Sequence, residues 1–375
     1  MRTPLGVYYA RQELPTWGTR PSTVSNPERF LSNPDAPREG TYDMLQGGFD
    51  GWWSGEVDHR TIPDRMGNID PSPVWQAGTD LRTMVVVPTT DTDLRDVAAF
   101  PMEIQGYLAA HPLSNLTAYL DVGLQGSANR YADTSRSFAE YIWVREVMVM
   151  LHDLPYSSYV RAGRLSPAYG WRLPDHTAYT RVGLGHDQNR HGYGVEIGIA
   201  PNEWWGNLSV AYQGVENWPG ERTSHEGVGV YGQGGWRGLG FTLGGTAQYF
   251  TGKDGYSDNM AGLMWSLNLN PITYLGEVDL RREERGQGDG GDTSVVALHE
   301  IQLRDVVPGL IPHLRYEFLD SNIKFVDDDS TRVSAGAEWF PVSYLSMDLT
   351  YRHELRADPN KANVGELLLQ LHGFF

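Results

Sequence analysis

The chain has 375 residues, no cysteine and a net charge of −17, and only Lys253, Lys324 and Lys361 are lysines among its 30 Lys and Arg. Zero cysteine excludes a disulfide framework, thiolate metal ligation, a thiol nucleophile and covalent c-type haem, and the acidic balance argues against nucleic acid as a partner. Mean hydropathy is −0.43, and no run approaches the ~18–20 apolar residues of a transmembrane helix, which leaves open a barrel whose polar inner residues dilute every strand.

The first residues, Met1 to Tyr9, hold no apolar core of the kind a signal peptide needs, so a leader is expected to have been removed. Residues 1–78 carry Pro15, Pro21, Pro27, Pro34, Pro37, Pro63, Pro71 and Pro73 among Trp17, Trp52, Trp53 and Trp75, with poor alternation. They read as an irregular N-terminal segment that lies in the periplasm, plugs a lumen or clasps a partner. Residues 79–375 read as a single transmembrane antiparallel β-barrel.

From about residue 80 the side chains alternate with a period of two. Leu116, Ala118, Leu120, Val122 and Leu124 oppose Thr117, Tyr119, Asp121 and Gln125. Tyr193, Val195, Ile197 and Ile199 oppose Gly194, Glu196 and Gly198. In the clearest stretch Trp204, Leu208, Val210 and Tyr212 share one face, and the apolar face begins and ends on aromatics, as a lipid-facing strand between two girdles should. The pattern recurs over 239–249, 263–270 and 345–352. Connections alternate too. Tight ones sit at His111-Pro112-Leu113, Asp153-Leu154-Pro155, Pro201-Asn202, Arg237-Gly238, Asn270-Pro271, Pro308-Gly309 and Pro341-Val342. Longer polar ones lie between, at 127–136, 167–188, 217–224, 252–257, 284–291, 321–329 and 355–361. Seven short hairpins plus one strand near 80–88 and one at the C-terminus make about sixteen strands, with both ends of the barrel on the short-turn side. Weak strands near 80–88, 137–150 and 178–186 leave fourteen or eighteen open.

The most distinctive stretch runs from Tyr159 through Arg161, Gly163, Arg164, Pro167, Tyr169, Gly170 and Arg172 to Arg181. Gly163, Pro167, Tyr169 and Gly170 resemble a run of the phosphate-selective porin O/P family. That resemblance implies a sixteen-stranded, usually trimeric diffusion channel whose third outer loop folds inward. The strand count puts this stretch between the fifth and sixth strands, so Arg161, Arg164, Arg172, Asp175, His176 and Arg181 are candidates for a constriction of mixed charge. The chain departs from the family's Lys- and Arg-rich lining by its strong acidity.

Polar-face positions on other strands carry Asp121, Glu196, Glu277, Asp279, Arg281, Arg315, Glu317, Asp348 and Arg352, which implies water or protein inside. Asp289, Asp292, Asp327, Asp328 and Asp329 fall in outer loops, where they either hold a hard cation such as Ca²⁺, bridging lipopolysaccharide, or form a solvated charge run. His176, His186 and His191 are the nearest histidine group, as metal ligands or as polar loop residues. No catalytic signature is present, so no enzyme activity and no cofactor are expected. The last strand presents Leu367, Leu369, Leu371, Gly373 and Phe375 on one face and resembles the C-terminal sorting strand of Gram-negative outer-membrane barrels. Two functions fit. One is a porin for small hydrophilic solutes or ions, surrounded by outer-membrane lipid and lipopolysaccharide, possible homotrimer included. The other is a sheath that encloses a periplasmic or lumenal protein partner such as a multihaem cytochrome, for which the inward glycines Gly192, Gly194, Gly198, Gly227 and Gly229 would leave room.

Overall fold

The computed structural model describes residues 75–374 apart from 90–96, 114, 126–141, 174, 176, 187–190, 201–203, 214–225, 239, 287–290, 305, 308, 343 and 359–361. Most of the N-terminal segment therefore lies outside the described residues, as do His176, Asp289 and Phe375. The strands are β1 (Trp75–Pro88), β2 (Ala98–Leu113), β3 (Leu116–Gln125), β4 (Ile142–Leu154), β5 (Ser158–Leu165), β6 (Gly192–Ile199), β7 (Trp204–Gln213) and β8 (Gly227–Arg237). They continue with β9 (Phe241–Gly252), β10 (Tyr256–Leu269), β11 (Ile272–Arg285), β12 (Asp292–Leu303), β13 (Leu310–Asp320), β14 (Asp329–Val342), β15 (Leu345–Arg356) and β16 (Val364–Phe374). Each strand pairs with its sequence neighbours, and β1 pairs with β16 from Asp80↔Phe374 to Pro88↔Glu366, which closes the ring.

Closure follows from solvation. In lipid an unpaired sheet edge would leave its N–H and C=O groups without partners, at several kcal/mol each, and a sealed cylinder has no edge. Short turns mostly join the strands at one end of the barrel and longer connections at the other, but the expected long connection at 252–257 is a three-residue turn, Lys253–Gly255, and six residues separate β12 from β13 at the short-turn end, where a tight turn was expected. The first strand starts at Trp75 rather than at residue 79, and 142–154 forms β4. Residues 178–186 make no strand; they hold the one-turn helix α1 (Tyr179–Val182). Among the described residues no helix is long and apolar enough to cross a membrane.

The two faces follow the pleat. Leu208 and Val210 are exposed on the outside of β7 while Ser209, Ala211 and Gln213 are buried inside. Exposed aromatics ring the short-turn end (Trp204, Trp236, Phe241, Trp339), and Tyr193, Tyr249 and Tyr351 stand outside toward the long-connection end. Trp236 and Phe241 meet edge to face at 5.7 Å. One irregularity matters for the interior. Between β3 and β4 the register passes from Asp121↔Glu146 to Val122↔Val144, leaving Arg145 as the extra residue of a β-bulge. The bulge turns Arg145 inward beside Glu146, where it meets Glu103.

Candidate functional site

The inner wall is laced by arginine–carboxylate pairs set directly opposite each other on neighbouring strands. Arg161 faces Glu196, Arg315 faces Glu300, Arg332 faces Glu317 and Arg352 faces Glu366. Their N···O separations are 2.8, 2.6, 2.7 and 2.7 Å. Arg82 stands opposite Glu103 and closes a two-bond fork on Asp80 at 3.0 Å. Two-pronged guanidinium–carboxylate contacts are the strongest neutralisation available to groups taken out of bulk water. Arg281 serves two acids, Asp258 of the neighbouring β10 at 2.9 Å and Glu283 of its own strand at 3.6 Å.

The described residues 166–173, 175 and 177–186 of the connection from β5 to β6 fold into this lumen and reach the far wall. Tyr169 donates its hydroxyl to Asp279 at 3.0 Å. The Trp171 indole donates to the Gly276 carbonyl at 3.0 Å, and the Trp171 amide donates to the Glu277 carboxylate. The Tyr179 amide donates to Glu317 at 2.8 Å, at the start of α1. Wall arginines reach back to the loop. Arg332 donates to the Thr177 carbonyl, Arg352 to the Thr177 hydroxyl and Arg315 to the Asp175 carboxylate, at 2.8, 2.8 and 2.7 Å. The Arg332 guanidinium also lies 4.1 Å over the Tyr179 ring. Gly170 makes the turn at φ 58°, against the Glu277 carboxylate, where a Cβ would collide.

Part of this docking is apolar. Tyr169, Tyr179 and Leu184 of the loop form a buried cluster with Met260 of β10 and Val296 of β12, with Leu319 packed beside it. Inward positions that alternation alone assigns to water are covered here by the loop, and so tolerate Met and Val. The glycines expected to admit a partner do other work. Gly198 lies under the Tyr159 ring and Gly229 under the Tyr231 ring, so the barrel's own aromatics take the space.

Of the candidate constriction residues, Asp175 meets the wall candidate Arg315, Arg172 is exposed on the loop and donates to the Ser166 carbonyl at 2.8 Å, and Arg181 sits in α1 and donates to the Tyr169 carbonyl at 3.4 Å. Arg161 belongs to the wall. Arg164 does not join them. It pairs in register with the exposed Val147 and Tyr193 yet is itself only 2% exposed; its guanidinium donates to the Val144 carbonyl at 3.0 Å and lies 5.6 Å from the Tyr193 ring. The remaining wall candidates, Asp121, Glu196, Glu277, Asp279, Arg281, Arg315, Glu317, Asp348 and Arg352, all stand on inward registers. Arg82, Arg145, Glu300 and Arg332 were missed, although for all but the bulged Arg145 the same parity marks them. Asp292 accepts a hydrogen bond from Asn322, and among the described residues no group of three or more acidic or histidine side chains is placed to hold a metal.

Asp175 shows the electrostatics of the docked loop. Its burial would raise the carboxyl's pKa, but Arg315, Arg352 and Arg332 together hold it well below the usual carboxylate range.

No family model matches the chain, and no curated protein matches it in sequence. Solved structures do resemble it. OprB of Pseudomonas putida superposes with a TM-score of 0.62 at 7% identity, covering 80% of this chain and 94% of that one. OmpT of Vibrio cholerae gives 0.60 at 10% identity, over 80% and 97% of the two chains. OmpF of Salmonella typhi, solved in complex with daunomycin, gives 0.58 at 12% identity, over 80% and 97%. The narrower resemblance to the phosphate-selective porin O/P family thus stays confined to the run from Gly163 to Gly170. At these identities the likeness is one of fold, and the chain has the porin-like transmembrane β-barrel fold of these outer-membrane proteins.

Proposed function

We propose that the chain is an outer-membrane channel that passes small hydrophilic solutes or ions by passive diffusion. The observation that carries this reading is the described part of the β5–β6 connection, which crosses a charged lumen and docks on the opposite wall through Tyr169, Trp171, Asp175 and Tyr179. A loop held in that way narrows a water-filled passage without sealing it by a separate domain. Arg172 and the Asp175–Arg315 pair set charges of both signs across the passage, a field that sorts solutes by size and dipole. A sheath around a cytochrome or another partner would need the space the loop and the inward rings occupy, which favours the channel. Outer-membrane lipid and lipopolysaccharide would surround the wall. A homotrimer is proposed by likeness, since OmpT of Vibrio cholerae has been solved in a trimer form.

Purified protein in a planar lipid bilayer tests the reading. Steady conductance without any added partner is expected. Silence, together with a periplasmic protein that co-purifies, would favour the sheath instead.

A further inference from the structure

Against the lattice of matched pairs, two lumen-facing registers among the described residues oppose carboxylate to carboxylate, with no arginine standing in register with either pair. Asp121 of β3 stands directly opposite Glu146 of β4, and Glu338 of β14 directly opposite Asp348 of β15. Like charges facing across neighbouring strands destabilise a sheet, so both pairs oppose folding. The nearby arginines are engaged elsewhere. Arg145 pairs with Glu103, Arg82 with Asp80, Arg315 with Glu300 and Asp175, and Arg352 with Glu366.

The carboxylates' other contacts bring them little positive charge: Arg145 acts on Asp121 while it pairs with Glu103, and Glu338 meets Ser346 with His313 and His372 nearby. Glu146 accepts the Ser166 amide at 3.0 Å. Asp348 accepts the Thr350 hydroxyl at 2.6 Å and lies 3.7 Å from His313. Asp121 is only 8% exposed, and its Oδ1 has no hydrogen-bond partner. A nearly buried carboxylate oxygen without a donor is costly unless something positive meets it. Tyr107 faces Asp121 from β2, and Tyr119 lies two residues along on the same face of β3, so aromatic rings flank the carboxylates. Carboxylates beside tyrosine rings suit a small cation, inorganic or carrying an ammonium or guanidinium group.

We infer that the Asp121–Glu146 and Glu338–Asp348 pairs are cation stations that make the lumen cation-selective, the first midway along the barrel and the second near its short-turn end. The inference rests on the channel reading above and names the class of solute it favours. Like-charge pairs are retained there because a passing cation relieves them, and the same fixed charge turns chloride away.

The test measures the K⁺ over Cl⁻ permeability ratio from reversal potentials in a KCl gradient across a planar bilayer, for the full chain and for Asp121→Asn/Glu146→Gln and Glu338→Gln/Asp348→Asn. All four replacements are near-isosteric and remove repulsion, so the folded barrel should persist, and retained conductance verifies it. The full chain should favour K⁺, and each double variant should lower the ratio by about twofold or more, as removal of fixed charge from a confined passage demands. Asp327→Asn, on an exposed connection, should leave the ratio unchanged. Conductance with no cation preference, or a ratio that neither double variant moves, or one that Asp327→Asn moves equally, overturns the inference while leaving the channel reading standing. A full chain that conducts nothing overturns both.

Discussion

Arg332 and Glu317 illustrate what a charged side chain needs in order to live in this interior. They face each other in register, close two hydrogen bonds at 2.7 Å, and are 4% and 0% exposed. Removing one partner strands a buried charge, so Arg332→Ala should cost roughly 3–5 kcal/mol, more than Arg332→Ala/Glu317→Ala together. Urea midpoints of the detergent-folded barrel measure this; a double variant no more stable than the single would contradict it. At Gly170 a side chain meets two obstacles, the left-handed backbone and the Glu277 carboxylate. Gly170→Val should cost at least about 1–2 kcal/mol from the backbone alone and should widen the passage, which single-channel conductance reads. Asp175 sets the acid behaviour of the loop. Its native pKa is depressed, so its stabilisation is complete above the unfolded value near ~3.9 and fades only as pH falls through the lower native value. Conductance corrected for bulk conductivity should therefore show no loop release between neutral pH and about pH 4. A stepwise rise within that window would mean that the Arg315 contact is not what holds the loop.

At the scale of the element, strand faces were legible because each strand separates lipid from lumen, and a period of two is the only pattern that does so. Val210 makes the point: Val210→Arg places a charge on the lipid face of β7 and should cost about 2–4 kcal/mol near the membrane's midplane, read as a loss of folded, heat-modifiable protein in gels. Turns were legible from proline and glycine. The loop's place between the fifth and sixth strands was legible from the strand count, its inward fold only as a resemblance, and its destination was not legible at all. Trp171 meets β11 and Thr177 meets β14 and β15 across more than a hundred residues of sequence. No local pattern encodes such contacts. The apolar patch around Met260 and Val296 was hidden for the same reason, since only the docked loop makes apolar side chains tolerable inside. The β4 bulge escaped because it breaks the parity on which the reading depended. Replacing residues 168–186 by a short Gly/Ser linker should leave the strand ladder intact and raise conductance roughly twofold or more, as a wider constriction requires.

For the whole molecule, the account reduces to a closed wall with one dry face and one wet face. The register from Asp80↔Phe374 to Pro88↔Glu366 joins the ends of the described barrel, so each strand, β1 and β16 included, has two neighbours. Because the chain contains no cysteine, a single introduced cysteine reports its own surroundings without background. The most direct measurement is therefore labelling of single cysteines along β15 by a charged, membrane-impermeant thiol reagent, with the protein in lipid vesicles. The account predicts modification at positions 348 and 352 (Asp348 and Arg352 in the native chain), which face the lumen, and protection at 349 and 351 (Leu349 and Tyr351), which face lipid. Uniform labelling along the strand, or modification of the Leu349 and Tyr351 positions in preference to the others, would contradict it.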